Sequence, residues 1–231
     1  MAAPGQRLHI LDRKIAVPGS SYAYPTTRDT RVGIVSASSN AYAAAGGRTT
    51  EVSLSAFSFL LSEMVQHVQA RVTSIDALER RLEEAGYAVG LRVLELQQFR
   101  DKSVGKRKTR LLQALQWVSA DMWRALFGKT ADSLERSTEN ADEYMIHELQ
   151  PITNVFVSVP PDLGQLNCAA YIAGIIAGAL DGACFPATVT AHTIELAGQE
   201  ANITAAGGPR CKTVFLVKFS EEVMRREAQL A

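Results

Sequence analysis

The sequence predicts an α+β protein in which a run of helices precedes a mostly antiparallel sheet. Apolar residues recur at helical spacing over most of residues 52–127, and from residue 143 onwards the period changes to two. One further helix, strongly apolar and rich in small residues over residues 168–180, interrupts the strands. The strands are joined by short links, which favours antiparallel over parallel pairing.

Composition restricts the class of protein. The chain has 231 residues, enough to bury a substantial core in one domain. Its 24 Lys and Arg balance its 24 Asp and Glu, so the overall charge gives no indication of nucleic-acid binding. The three cysteines lack metal-binding spacing, and the start of the chain shows no secretory signal. A cytoplasmic location is therefore expected.

The character of the chain changes near residue 50. Residues 17–48 are rich in Ser, Ala, Gly, Thr and Tyr and show no sustained period. Such a composition buries little apolar surface, so residues 1–49 are predicted to be a flexible extension, with residues 7–15 as a candidate docked segment. Residues 50–231 are predicted to form the α+β domain.

The first predicted helix, over residues 52–72, has more apolar surface than one core requires. Its main stripe repeats at helical spacing, and further apolar residues widen it beyond a single face. A helix of this kind needs two partners, and one of them is expected to be another chain. The interface candidates are Phe57, Leu61, Met64 and Val65.

The remaining elements follow in chain order. A second helix is predicted to begin with a capping box at Thr73 and to end at Gly86, with a third helical piece directly after it. The next helix is predicted to end at Gly128. Strands are predicted over residues 143–149, 152–159, 185–196 and 211–219, and a terminal helix over residues 220–230.

The stretch over residues 166–192 carries one formal charge, Asp181. A membrane-spanning helix needs about 20 apolar residues, whereas the strongly apolar part here ends at Leu180. Small residues recur at spacing four from Ala170 to Gly182, which lets a backbone approach its neighbour closely. We expect a helix that is pressed onto the sheet in a soluble core.

The sequence contains no phosphate-cradling, dinucleotide-binding or zinc-protease motif, and no cofactor or metal is predicted. One enzymatic alternative stays open. Cys168 opens the small-residue helix, and a helix N-terminus lowers the pKa of a thiol, so a thiol-dependent enzyme or a small-ligand-binding protein would have its site there. The simpler interpretation is a buried cysteine packed as a small apolar residue.

A basic run precedes the helix that ends at Gly128. Cations at the start of a helix oppose its dipole, so local helix stability does not explain them. A solvated loop is one interpretation, and a patch that contacts an anionic membrane or an acidic partner is the other. The residues of this patch are Lys102, Lys106, Arg107, Lys108 and Arg110.

Five stretches carry a resemblance to a known family: "TEVSLSAFSFLLSEMVQHVQARV", "LERRLEEAGYAVGLRVLEL", "RALFGK", "LNCAAYIAGII" and "FPATVTAH". In this order they resemble the small subunits of the transport protein particle (TRAPP), in particular the fifth subunits. The resemblance runs from about Thr50 to Phe219. It implies helices on one side of a four-stranded antiparallel sheet, and pairing of subunits through the early helices.

The resemblance also implies a function and partners. TRAPP tethers vesicles and exchanges guanine nucleotide on a Rab GTPase in traffic between endoplasmic reticulum and Golgi. A subunit of this type is expected to be non-catalytic, to pair with the third subunit, and to lie near sedlin. It would work in the cytoplasm, peripheral to endoplasmic reticulum and Golgi membranes.

One departure from the family pattern affects an expected modification. The related third subunit carries an acylated cysteine near the loop that enters its long helix. The corresponding stretch here, residues 105–110, contains Lys and Arg and no cysteine. Acylation at this position is therefore not expected.

Overall fold

The computed structural model describes residues 31–33, 51–100, 107–154, 166–195 and 211–230. Helices and strands segregate along the chain much as the change of period predicts. The helices before the sheet are α1 (Leu54–Gln69), α2 (Ile75–Arg100), α3 (Leu111–Gln116) and α4 (Trp123–Phe127). A π-helical segment, Trp117–Met122, joins α3 to α4 without a break, and Gly128 ends α4 in the left-handed conformation as predicted.

The strands form two separate sheets. A small sheet pairs β1 (Arg31–Gly33) with β2 (Glu51–Ser53). The main sheet has the order β3-β4-β6-β5, and every neighbouring pair is antiparallel. Its strands are β3 (Ser133–Arg136), β4 (Glu143–Glu148), β5 (Ala187–Glu195) and β6 (Cys211–Phe219). The fold is therefore the predicted α+β arrangement with a four-stranded antiparallel sheet.

Two further helices lie in the described part of the chain. Helix α5 (Ala170–Gly182) precedes β5, and α6 (Glu221–Leu230) follows β6. The main core lies between the helices and one face of the sheet, where Trp123 packs edge-on against Phe215 with ring centroids 5.6 Å apart. Among the helices in the described ranges, none combines the length and apolarity that a bilayer crossing needs.

The small residues of α5 contact a helix rather than the sheet alone. A Cβ atom on Gly174 would lie 2.0 Å from the carbonyl oxygen of Glu83 in α2, and one on Gly86 would lie 2.0 Å from that of Tyr171. Only glycine permits so close an approach of two backbones. Helix α5 is consequently held between α2 on one side and the sheet on the other.

The contact explains why one predicted boundary is wrong. Gly86 does not end a helix, because α2 runs without interruption from Ile75 to Arg100 and places Gly86 in its buried interior. The predicted capping box is also displaced, since the hydroxyl of Ser74, rather than Thr73, accepts the N–H of Ala77 at 3.2 Å.

Two strand predictions also need correction. The polar interval after Gly128 contains β3, which pairs with β4 although only four residues long. The predicted strand over residues 152–159 begins wrongly, because residues 152–154 form a turn, and its other residues lie outside the described part of the chain. The predicted flexible extension, residues 1–49, likewise lies outside it apart from β1.

Candidate interaction surfaces

Helix α1 uses one stripe of side chains to pack on its own chain. The Ser53 hydroxyl caps its N-terminus by accepting the N–H of Ala56 at 3.2 Å. Within the helix Leu61 is 3% exposed and Val65 is 8% exposed. Val65 belongs to a small second core with Leu78 and other residues of α2 and the α5 entry. This stripe is therefore occupied by the chain itself.

A second apolar strip on α1 is partly open, although one of its residues, Met64, also packs against the small second core. Leu60 is 70% exposed, and Phe57 and Met64 are half-buried beside it. Residues three and four apart are neighbours on a helix surface, so Phe57, Leu60 and Met64 form one continuous line, which we call the α1 strip. Phe59, 57% exposed, lies on a different side of the helix. A partly exposed line of apolar side chains is a candidate surface for contact with another protein.

The structure thus divides the four predicted interface residues. Phe57 and Met64 belong to the α1 strip, whereas Leu61 and Val65 turn into the chain's own interior. Leu60, the most exposed residue of the α1 strip, is not among the four predicted residues. Its spacing from Phe57 and Met64 was the available signal, but a helix that is apolar around most of its circumference does not reveal which stripe faces inward.

The predicted basic patch is only partly described. Lys102 and Lys106 lie outside the described residues. Arg107 is exposed and donates a hydrogen bond to the carbonyl of Ala183 at 3.5 Å. Lys108 is half-buried, with its ammonium 5.4 Å from the centre of the Trp117 ring. The two residues therefore contact their own chain while keeping part of their surface open.

Arg110 has a structural role that also accounts for a cation at this helix start. Its guanidinium bonds the Glu227 carboxylate of α6 at 2.8 Å and the carbonyl of Leu230. The other carboxylate oxygen of Glu227 accepts the N–H of Leu111 at 3.0 Å and so caps α3. Arg110 and Glu227 together dock α6 on the start of α3, and the cation is neutralised where it opposes the helix dipole.

Cys168, the candidate nucleophile, is 3% exposed and packs in the same small core as Val65 and Leu78. Burial raises the pKa of its thiol, and the nearby charge of Glu79 raises it further. A reactive cysteine requires the opposite shift. Among the described residues, no group of three His, Cys, Asp or Glu side chains is placed to hold a metal ion.

One carboxylate lies deep in the core. Glu148 of β4 is 1% exposed, accepts the indole N–H of Trp123 at 3.0 Å, and forms an ion pair with Lys129. Burial raises the pKa of Glu148 despite the opposing effect of Lys129. These contacts connect β4 to α4 and to the residue after Gly128.

A groove of about 680 Å³ lies between α2, the start of α5 and strand β5. Two carboxylates of α2, Glu79 and Glu83, form one wall, and residues 189–193 of β5 form the other. Glu79 accepts the backbone N–H of Asn167 at 2.7 Å. Burial raises the pKa of Glu83, while the charge of Arg80 opposes this rise.

A helix-on-sheet domain that leaves an apolar strip partly open on one helix is typical of proteins that bind other proteins. The family comparison agrees with this class: residues 57–220 match the model of the transport protein particle (TRAPP) component. The chain belongs to the TRAPP family.

The relatives with the highest identities below belong to one branch of the TRAPP family, subunit 5. The chain is 47% identical to trafficking protein particle complex subunit 5 of Dictyostelium discoideum, over 77% of this chain and 90% of that protein. It is 41% identical to trafficking protein particle complex subunit 5 of Homo sapiens, over 78% of this chain and 87% of that protein. A more distant relative, trafficking protein particle complex subunit 31 of Saccharomyces cerevisiae, is 25% identical over 91% of this chain and 93% of that protein.

A solved structure shares the fold. Trafficking protein particle complex subunit 3 of Naegleria fowleri, solved covalently bound to palmitic acid, superposes with a TM-score of 0.56. The match covers 73% of this chain and 95% of that one, at 19% sequence identity. It shows that the helix-on-sheet arrangement described above is the arrangement of TRAPP small subunits.

Proposed function

We propose that this chain is a non-catalytic structural subunit of the TRAPP vesicle-tethering complex, and that it pairs through the α1 strip with another small subunit. The observation that carries the proposal is the exposure of Leu60, 70%, between two half-buried apolar neighbours on the same helix. Its partner would be a chain of the same fold, with the third subunit as the first candidate.

The size of α1 supports this use. A standard interface buries about 800 Å² on each partner. The helix has 16 residues and packs on its own chain mainly through one stripe. Its remaining circumference leaves the α1 strip for a second polypeptide. Large apolar side chains at the centre of an interface commonly carry most of the binding free energy.

The wider role follows from family membership. As a TRAPP subunit the chain would act in transport from endoplasmic reticulum to Golgi, in the cytoplasm and at the surface of those membranes. The Rab GTPase would be engaged through the assembled complex, and sedlin would be a neighbouring subunit. Arg107 and Lys108 retain open surface for an anionic membrane or an acidic partner, at about 1 kcal/mol for each basic residue near such a membrane.

Acylation of the kind found in the Naegleria relative is not part of this proposal. The stretch of residues 105–110 has no cysteine, and Cys168 is enclosed in apolar side chains. Intact-mass measurement of the native protein tests this point, because a fatty acid on any of the three cysteines would overturn it.

Leu60→Asp tests the pairing proposal. The aspartate would be solvated in the isolated chain but would place a charge in the interface, so co-purification with the third subunit should be lost. Gln66→Asp is the matched control, since Gln66 is exposed on the same helix and outside the α1 strip. Size-exclusion chromatography with light scattering reads out the pairing.

A third variant separates pairing from folding. Leu61→Asp puts a charge into the chain's own interior and should reduce the free energy of unfolding of the isolated chain, whereas Leu60→Asp should leave it nearly unchanged. Normal pairing by Leu60→Asp, in a chain that remains folded, would refute the α1 strip as the interface.

A further inference from the structure

Strand β5 forms one edge of the main sheet. Among the described strands its only neighbour is β6, and it is nine residues long. It contains no Pro and no Lys, and its one charged residue, Glu195, is the last. The opposite edge, β3, has four residues, of which Glu135 and Arg136 are charged. An edge strand that is short and charged discourages the addition of another strand. Strand β5 is longer and carries a charge only at its last residue.

The hydrogen-bond pattern shows which backbone groups of β5 point away from the sheet. Ser220 donates to the carbonyl of Pro186 at 3.1 Å just before the first strand pair. Because bonding alternates along an antiparallel pair, the even-numbered residues of β5 face β6 and the odd-numbered residues face outward. Val189, Ala191 and Thr193 therefore direct their N–H and C=O groups to the open edge.

One side chain already bonds this edge. The amide of Asn167 donates to the carbonyl of Ala191 at 3.1 Å, which confirms the outward direction of residue 191. The outward N–H groups of Val189, Ala191 and Thr193 have no hydrogen-bond partner within the described part of the chain. Backbone groups of this kind are the template for strand addition.

The groove described above runs along this same edge. Its far wall carries Glu79 and Glu83, and its floor is made by small side chains of α5, including Ala170 and Ala173. Since alternate side chains of an extended segment point to opposite faces, every second residue of a segment paired with β5 would point into the groove. Positive side chains there would meet two carboxylates, one of which, Glu83, is half-buried.

We propose that the open edge of β5 binds an extended, positively charged segment of a partner protein as a fifth strand, with its basic side chains against Glu79 and Glu83. Backbone hydrogen bonds to Val189, to Thr193 and to the N–H of Ala191 provide the pairing. The two carboxylates favour a segment with positive charge. This surface lies on a different element from the α1 strip, so the proposal can be tested independently of the pairing proposed above.

The test uses the full-length chain and a synthetic probe, a seven-residue peptide of alternating Lys and Thr with blocked ends. Its control is the same peptide with Glu in place of Lys. Amide hydrogen exchange, measured residue by residue by NMR, should slow at Val189, Ala191 and Thr193 when the Lys peptide is added. The Glu peptide should have no effect at the same concentration.

Two variants make the assignment specific. Thr193→Pro removes an outward N–H without touching the bonds to β6, so it should abolish the slowing while Thr190 and His192 remain protected. Glu83→Lys should weaken the binding of the Lys peptide about three- to tenfold. Glu84→Lys, at the neighbouring position outside the groove, is its matched control.

The results of these exchange measurements distinguish among the molecules that could occupy the edge of β5. Slowing at the three odd-numbered residues that depends on Thr193 and Glu83 supports the proposal. Equal binding of the Glu peptide, or shifts confined to the groove side chains without slowed exchange, would point to an unselective or small-molecule site and overturn it. Full protection of these amides in the isolated chain would show that the chain covers its own edge, and would also overturn it.

Discussion

Gly174 of α5 lies against the backbone carbonyl of Glu83 in α2, so closely that a Cβ on the glycine would stand 2.0 Å from that oxygen. The same relationship recurs one turn later, where Gly178 faces the carbonyl of Tyr87. Reciprocal contacts place Gly86 and Gly90 of α2 against carbonyls of α5. The two helices are thus in contact through main-chain atoms. Unlike a side chain, these atoms cannot relieve a clash by a change of rotamer.

Gly174→Ala should lower the free energy of unfolding by about 1–3 kcal/mol, because the added methyl group displaces a backbone carbonyl. This loss exceeds the gain of up to about 1 kcal/mol in helix propensity. Denaturant unfolding of the purified chain measures it.

Gly182→Ala is the control for Gly174→Ala. A Cβ on Gly182 would meet only side-chain methyl groups, those of Leu94 at 2.9 Å and Leu91 at 3.0 Å, which can move. A loss no larger for Gly174→Ala than for Gly182→Ala would contradict the main-chain account of the contact.

Glu227→Ala should detach α6 from α3. The change removes the ion pair with Arg110 and the cap on the N–H of Leu111, so we expect a loss of about 1–2 kcal/mol. Part of that loss should fade at high salt, since Arg110 remains partly exposed. Unfolding measured at low and high salt tests both statements.

Glu222→Ala is the matched control for α6, because Glu222 is exposed on the same helix. It should leave the stability within about 0.5 kcal/mol of the original chain. Equal effects of Glu222→Ala and Glu227→Ala would show that helix charge, rather than docking, is responsible.

Glu148→Gln should change the pH dependence of stability. Burial raises the pKa of the native carboxyl above its ordinary value of 4.5, so between 4.5 and the raised pKa the folded state binds more protons than the unfolded state. Stability from this group is therefore greatest at low pH and declines as pH rises through that interval. Glutamine does not titrate, and the stability of the variant relative to the original chain should increase across the same interval.

Denaturant midpoints at a series of pH values measure this difference, and the other titrating groups cancel in the comparison. Glu139→Gln is a control in the turn between β3 and β4, where the side chain is exposed. A difference between Glu148→Gln and the original chain that stays flat over pH would show that Glu148 titrates normally.

Cys168 should be the slowest of the three cysteines to react with a thiol reagent. Cys184 is exposed and Cys211 is half-buried, so they should label first in the native protein. Cys168, with a raised pKa and apolar neighbours, should label only when the fold opens. Peptide mapping after timed labelling with iodoacetamide resolves the three sites, and rapid native labelling of Cys168 would revive the enzymatic alternative.

The sequence identified elements better than it identified contacts. The changes of period located α1, α3 to α4, β4, β5, β6 and α6, because periodicity records which residues are buried. Gly86 was misread because a glycine in a helical pattern is compatible with an end and with a close crossing, and only the position of Tyr171 distinguishes them. Strand β3 was missed because four residues with two charges show no alternation.

The candidate surfaces depended more heavily on tertiary structure. Arg110 was predicted from its charge, but its partner Glu227 is 117 residues away along the chain. Leu60 and Leu61 are adjacent and chemically identical, yet one is exposed and the other enclosed. The open edge of β5 follows from strand order, which the alternation of residues within a strand does not encode.

The close glycine contacts between α2 and α5 also restrict where this protein can bind a small molecule. Two backbones in direct contact leave no volume between them, so a fatty chain or other small molecule has no entry along that line. Within the described part of the chain, the groove beside β5 is where such a compound would find space.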